Sequence, residues 1–196
     1  MTERSYHHGN LRQVLLDRAW AAIDAGGVDA LSLRQLAREA GVSHGASARH
    51  FSDRTALLDA VAVAGFTRMN DALAAAVEQS APFGERLRAA GFAYIGFAVE
   101  HPAILEIMYK AKHHVAASDE LRERSRASMA MVVAFVDAAQ AAGEIPAGDA
   151  ERRALVIFAS VHGVAALATA DLLDGVPWQD AADATIAVIL GSLGIE

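Results

Sequence analysis

The chain has 196 residues and no cysteine, so neither disulfides nor thiolate metal sites are available, which fits a reducing compartment. Proline occurs only 4 times and hydrophobic residues make up 54%, a balance that argues against a disordered chain. The opening MTERSYHHGN lacks the apolar core of a secretion signal, and charges interrupt the apolar runs, so no membrane span is expected. Also missing is the two-residue alternation bounded by turns that a sheet needs. No glycine loop of the phosphate-cradling kind and no metalloprotease helix motif is found. These absences leave a soluble, cytoplasmic, helical protein as the expectation, with no cofactor.

What is present is unevenly charged. The formal net charge is -7, yet residues 1 to 54 hold 7 Lys and Arg against 6 Asp and Glu, with four histidines besides. The remainder holds 10 against 18. An acidic body is repelled by a polyanion, so a nucleic-acid partner would be met by the head alone. Hydrophobic spacing of three and four predicts helices over 11 to 25, 33 to 40, 44 to 51, 53 to about 77, 84 to 100, 102 to 113, 118 to 142, 149 to 173 and 177 to 193. Asn10, Ser32 and Ser43 suit helix starts, Pro102 and Pro177 suit first turns, and Gly26, Gly41, Gly143 and Gly175 suit stops. The expected fold class is all-α, with a three-helix N-terminal domain over 1–54 followed by a longer helical domain over 55–196.

The stretch GVSHGASARHF, residues 41 to 51, concentrates hydrogen-bonding side chains between two short helices joined by Gly41, Val42 and Ser43. A small Ala37 where the helices cross, a glycine in the turn and an apolar anchor at Val42 have the spacing of a helix-turn-helix. In that geometry the second helix enters the major groove with its N-terminal residues facing base edges. An ordinary helical corner with a solvated polar face has the same local pattern.

The flanks add to this reading. LSLRQLAREAGVSHGASARHFSDRTALLDAVAVAGF, residues 31 to 66, resembles the DNA-binding domain of the TetR family of transcriptional regulators, with Phe51, Ser52, Asp53, Arg54 and Leu57-Leu58 in the family's order. YHHGNLR, residues 6 to 12, resembles the entry to the first helix in one branch, and FASVHG, residues 158 to 163, resembles that branch's Trp-x-x-Val-His-Gly signature with Phe158 in the tryptophan's place. The resemblance implies that Arg34 and His44 face bases and that Ser32, Ser43, His50 and Arg54 hold phosphates. Gly45 and Ala46 would allow close backbone approach, and Ser47 and Arg49 complete the candidate DNA-binding set. Two departures stand out: Ala48 occupies the place of a usual phosphate-holding tyrosine, and Ser47 that of a common apolar residue. Arg49, His50 or the tail around Arg4, His7 and His8 are the candidates to compensate.

So small a head buries too little surface for tight binding by itself, so a homodimer on a double-stranded operator is expected. The family pairs through its last two long helices, and the stripes Leu155, Phe158, Val161 and Ala165, and Ile186, Ile189, Leu190 and Leu193, are candidates, with Ala159, Gly163 and Ala166 as small residues between them. The same stripes would equally serve an internal core. A small-molecule effector is expected in a cavity lined by Phe66, Met69, Tyr94, Phe97, His101, Ile104, Met108, Tyr109, Met129, Val133, Phe158 and His162, although each would also serve as plain core. His101, His113, His114 and His162 lack the spacing of a metal site. Ser160 and His162 lie two apart on a helix and face different ways, so catalysis is not expected. The expected function is a DNA-binding regulator, a repressor by resemblance. The rival is a dimeric ligand-binding or protein-interaction module without DNA binding, which Ala48 keeps open.

Overall fold

A computed structural model describes residues 11–78 and 80–195; the tail expectations at Arg4, His7 and His8 lie outside the described residues. Helices and turns are the only regular elements among them: α1 (Leu11–Gly26), a 3₁₀ turn (Val28–Ala30), α2 (Leu33–Glu39), α3 (His44–Ala48), α4 (Arg54–Val77), α5 (Phe83–Glu100), α6 (Pro102–Ala111), α7 (Asp119–Ala141), α8 (Ala150–Thr169) and α9 (Trp178–Ser192). The all-α class is therefore correct. The helix expected to run to 173 stops at Thr169 because the backbone turns left-handed soon after, with φ of 56° at Asp171, 49° at Asp174 and 86° at Gly175.

Two compact units divide the chain, the first being Met1–Gly65 with Ala103–Arg122 and the second Phe66–Pro102 with Glu123–Glu196. In the first, α1 buries Leu15, Ala19 and Ile23 completely, and Leu36, Ala37 and Phe51 from α2 and the segment after α3 are 2% exposed. Further along, α6 crosses α4 at Gly65, where a methyl group would lie 2.5 Å from Met108 Sδ and 3.2 Å from Ile104 Cγ2. A methyl there would force the Met108 side chain to shift, so glycine eases the close approach of these two helices. At the next corner Ser118 starts α7, its Oγ accepting from Leu121 N at 3.1 Å. Both Ser118 N and Ser118 Oγ donate to the Asp59 carboxylate of α4, at 2.8 and 2.6 Å.

In the second unit α5, α8 and α9 pack on one another around a core that includes Phe83, Leu87, Phe135, Val136, Ile157, Ile186, Ile189 and Leu193. The Phe83 and Phe135 rings stack at 4.8 Å, and the Arg86 guanidinium lies 5.1 Å above Phe135 while donating twice to Glu144 at 2.8 and 2.9 Å. On the surface Arg88 forks onto Asp183 of α9 at 2.5 and 2.8 Å. Of the two readings left open for the stripes, Ile186, Ile189 and Leu193, like Val161 and Ala165, take the internal-core one and are buried inside their own unit, whereas Leu155 is 58% exposed. Periodicity identifies an apolar face but not what covers it.

Helix α8 carries no charged residue after Arg153, so by length and composition alone it resembles a membrane-crossing helix, but one such helix is weak evidence and the expectation of no membrane span stands. Much of it faces outward, with Leu155, Val156 and Leu167 exposed.

Helix α4 starts from Asp53, whose Oδ1 accepts from Ala56 N at 2.8 Å and whose Oδ2 accepts from Ser52 Oγ at 3.1 Å. The Ala56 N–H, followed by the Ser52 hydroxyl, favours the carboxylate and holds its pKa below the ordinary 3.8. A depressed folded-state pKa stabilises above the unfolded value and loses that contribution as pH falls through the folded one. Asp53→Ala should thus lower the thermal midpoint at neutral pH, and the gap to the parent should close as pH falls below 3.8. Midpoints followed by circular dichroism across that range check this, and a gap independent of pH would contradict it.

Candidate nucleic-acid interface

The helix-turn-helix is built from two short, serine-capped helices. Ser32 Oγ accepts from Gln35 N at 3.4 Å at the start of α2, and Ser43 Oγ accepts from Ala46 N at 3.2 Å at the start of α3. Between them Gly41 adopts φ 70°, a left-handed conformation that glycine takes without strain. The reversal is closed by Gly41 N donating to Arg38 O at 3.1 Å and Val42 N donating to Ala37 O at 3.0 Å. These bonds satisfy carbonyls that the end of α2 would otherwise leave open. Each serine oxygen is used as an acceptor, so its hydroxyl hydrogen remains to donate outward.

Most of the expected contact residues face solvent. Ser32, Arg34, Ser43, His44, Gly45 and Arg49 are exposed, Ala46 and His50 are half-buried, and the variant position Ala48 is exposed as well. Ser47 is the exception. It is 0% exposed, with Oγ donating to His44 O at 2.8 Å, so it belongs to the packed side of α3 and cannot meet DNA. The apolar residue common at that position in the resembled family is the signal that points inward.

Arg54 is anchored rather than free. Its Nη2 donates to Val28 O at 2.7 Å and lies 4.0 Å from Asp29 Oδ1, with the side chain 47% exposed. One N–H of five is thereby engaged, and the remaining donors can reach outward. Sequence periodicity did not anticipate the 3₁₀ turn that supplies this carbonyl, since three residues are too few to show a period. Phe51, 2% exposed, seats the segment after α3, with the Arg12 guanidinium 5.4 Å from its ring centre.

Two family profiles match the chain. Residues 15–61 match the one described as bacterial regulatory proteins, tetR family, and residues 87–193, more than half of the chain, match a tetracyclin repressor-like C-terminal domain. The chain belongs to the TetR family. It is thus a helix-turn-helix regulator of the DNA-binding kind. Among solved structures, a protein of unknown function from Rhodococcus sp. RHA1 is 48% identical, with 97% of this chain and 99% of that one covered and a TM-score of 0.90. The fold is also shared with the TetR-family regulator PfmR from Thermus thermophilus, at 18% identity, coverage of 90% and 97% and TM-score 0.69. Salmonella enterica GusR shares it too, at 20% identity, coverage of 98% and 100% and TM-score 0.72. No curated protein sequence matches the chain.

In this TetR-family regulator the twelve expected ligand residues divide between the units. Ile104, Met108 and Tyr109 belong to the first, where Ile104 and Met108 are fully buried against α4. Phe66 and Met69, each 1% exposed, open the second unit's share, and Met129 and Val133 are half-buried on α7. Three residues of the second unit form one cluster. Tyr94 Oη and His162 Nδ1 are 2.7 Å apart, the Phe158 ring stacks on His162 at 5.3 Å, and Tyr94 meets Phe158 edge-on at 6.2 Å. Phe97 and His101 make a separate edge contact at 5.3 Å.

The placement of Ser47 leads to a direct test. Ser47→Ala keeps the packed volume and removes one hydrogen bond, a loss of about 0.5–1.5 kcal/mol. Denaturant titration should register that drop, while selection from randomised duplexes returns the parent's base preference. A changed preference would mean that Ser47 reaches the bases.

Proposed function

We propose that this TetR-family regulator is a cytoplasmic repressor: a homodimer that binds a palindromic operator through residues 1–54 and is released when a small, largely apolar ligand enters residues 55–196. In this reading Arg34 and His44 meet bases, Ser32, Ser43, Arg49, His50 and Arg54 meet phosphates, and Gly45 and Ala46 admit the sugar-phosphate backbone. The observation that carries the proposal is the two-sided α2–α3 pair: Arg34, Ser43, His44 and Arg49 outward, Ala37 and Ser47 inward.

Pairing is supported by the exposed apolar side chains Leu155, Val156 and Leu167 on α8 and Val188 on α9. Gly163 and Gly191 carry open space where a methyl group would stand, room that suits close approach of a second helix pair. A copy of the same chain would bury these residues, and the same arrangement accounts for an apolar α8 without a bilayer. Ligand release requires the ligand to favour one spacing of the two heads, a coupling of typically about 1–3 kcal/mol. Tyr94, Phe158 and His162, with one polar bond amid aromatic faces, have the character of a small-molecule wall. Ala48, exposed where a tyrosine would hold phosphate, favours a second reading in which the dimer binds ligand but not DNA.

Fluorescence anisotropy with the DNA upstream of its own gene separates the two. A repressor should bind with affinity falling steeply as salt rises. Arg34→Ala should relax preference at one base pair, worth about 1–3 kcal/mol, while Arg54→Ala should weaken all duplexes alike and flatten the salt slope. Absence of any salt-dependent complex would leave the ligand-binding module. Pairing has its own check: Val188 is 74% exposed, so Val188→Arg should fold normally yet sediment as a monomer, and an unchanged dimer would exclude α9 from the interface.

A further inference from the structure

We propose that the first unit carries a ligand site of its own, between α4 and α6, for a small, largely apolar molecule bearing one amine or other cationic group. A cavity of about 250 Å³ opens there, bounded by the start of α4, by α6 and by the segment 114–117. Val28, Leu58, Ile107 and Ala111 make its wall apolar. None of the twelve residues expected to hold a ligand lines it, so it is separate from the Tyr94, Phe158 and His162 cluster.

The cavity is held open rather than left over. Close crossing at Gly65 and Met108 fixes α6 on α4, and the two hydrogen bonds from Ser118 to Asp59 fix the segment that follows α6. With both ends tied, the helices cannot close on the space without breaking one of these contacts, and an apolar space of this size is filled at a gain by apolar surface. Its size falls just below the usual range for drug-sized ligands, which suits a small guest.

The polar groups on the lining indicate the sign of the guest. Asp59 and Glu106 contribute two carboxylates, Lys110 one ammonium, and Lys110 donates to Glu106. Each Asp59 oxygen takes one bond from Ser118, which leaves lone-pair capacity on both. His114, also on the wall, accepts from Ala116 N through Nδ1 at 3.1 Å, so one carboxylate faces no ammonium of the lining, and a cationic guest supplies that charge.

The wall also leads to the head. Val28 lines the cavity and its carbonyl accepts from Arg54, while Thr55, the next residue, lines it too. A guest pressing on Val28 disturbs the anchor of Arg54; this consequence, unlike occupancy itself, rests on the DNA-binding function proposed above.

Phenethylamine and phenylacetate, matched in size and opposite in charge, serve as probes on the full chain without DNA. Methyl resonances of Leu58, Ile107 and Ala111 should shift saturably with phenethylamine, and phenylacetate should bind at least about tenfold more weakly, the equivalent of one modest charge contact. Ala111→Trp should fill the space and abolish the shifts at Leu58 and Ile107. Ala116→Trp, on the exposed edge, provides the same block should the first variant fail to fold. No saturable shift, equal binding of the two probes, or binding undiminished in a folded blocking variant would overturn the site. DNA affinity read with phenethylamine bound should fall; affinity unchanged despite occupancy overturns the link to Arg54. A chain that binds no duplex at all refutes the DNA reading while the resonance shifts still decide the site.

Discussion

A helix of five residues cannot hold its own shape in water, because nucleation fixes several residues before hydrogen bonds repay the cost. Helix α3, His44–Ala48, is such a helix, and its position depends on burial of one face. Ser47 and Phe51 are sunk in the head, Ala37 lets α2 pass close by, and the Val42 N–H closes the turn on the Ala37 carbonyl. What remains outward is His44 with Gly45 and Ala48, and Arg49 just past the helix end. The nucleic-acid face and the head's stability are thus two sides of one packing solution.

The rest of the chain divides its apolar surface by direction. In the second unit the inward faces of α5, α8 and α9 close a core around Phe83, Phe135, Ile157 and Ile186. The outward faces keep Leu155, Val156, Leu167 and Val188 in solvent. Single exposed aliphatic residues are ordinary, but several on two neighbouring helices form a surface that gains by being covered. With acidic residues concentrated after residue 54, the electrostatic field of the chain orients a polyanion towards the head, and a second copy would double that bias.

Much of this was legible in the residues because each helix boundary has local chemistry. Serine at 32 and 43, proline at 102 and 177, and glycine at 41 act within one turn of themselves, so helix starts and stops could be read to within a few residues. The misreadings share a different cause. Ser47 is polar by composition and buried by tertiary contact; Ile186 and Ile189 show a stripe that is silent about its partner; Arg54 is tied by a carbonyl 26 residues away. The left-handed Asp171 that stops α8 is a local cap, closed by Leu172 N on Leu167 O and Asp171 N on Ala168 O, and it is hard to read because aspartate signals that conformation less clearly than glycine. Long-range contact decides the first three, and local pattern carries none of it. The Gly65–Met108 crossing belongs to the same class, and with it the cavity that it helps to hold open.

In the proposed dimer two serine-capped tips reach successive turns of one duplex face, and hydroxyl-radical footprinting on the proposed operator tests that most directly. Two protected windows on the same face, centred about one helical turn of roughly 34–36 Å apart or a multiple of it, are predicted. Protection confined to one window, or windows on opposite faces of the duplex, would contradict it.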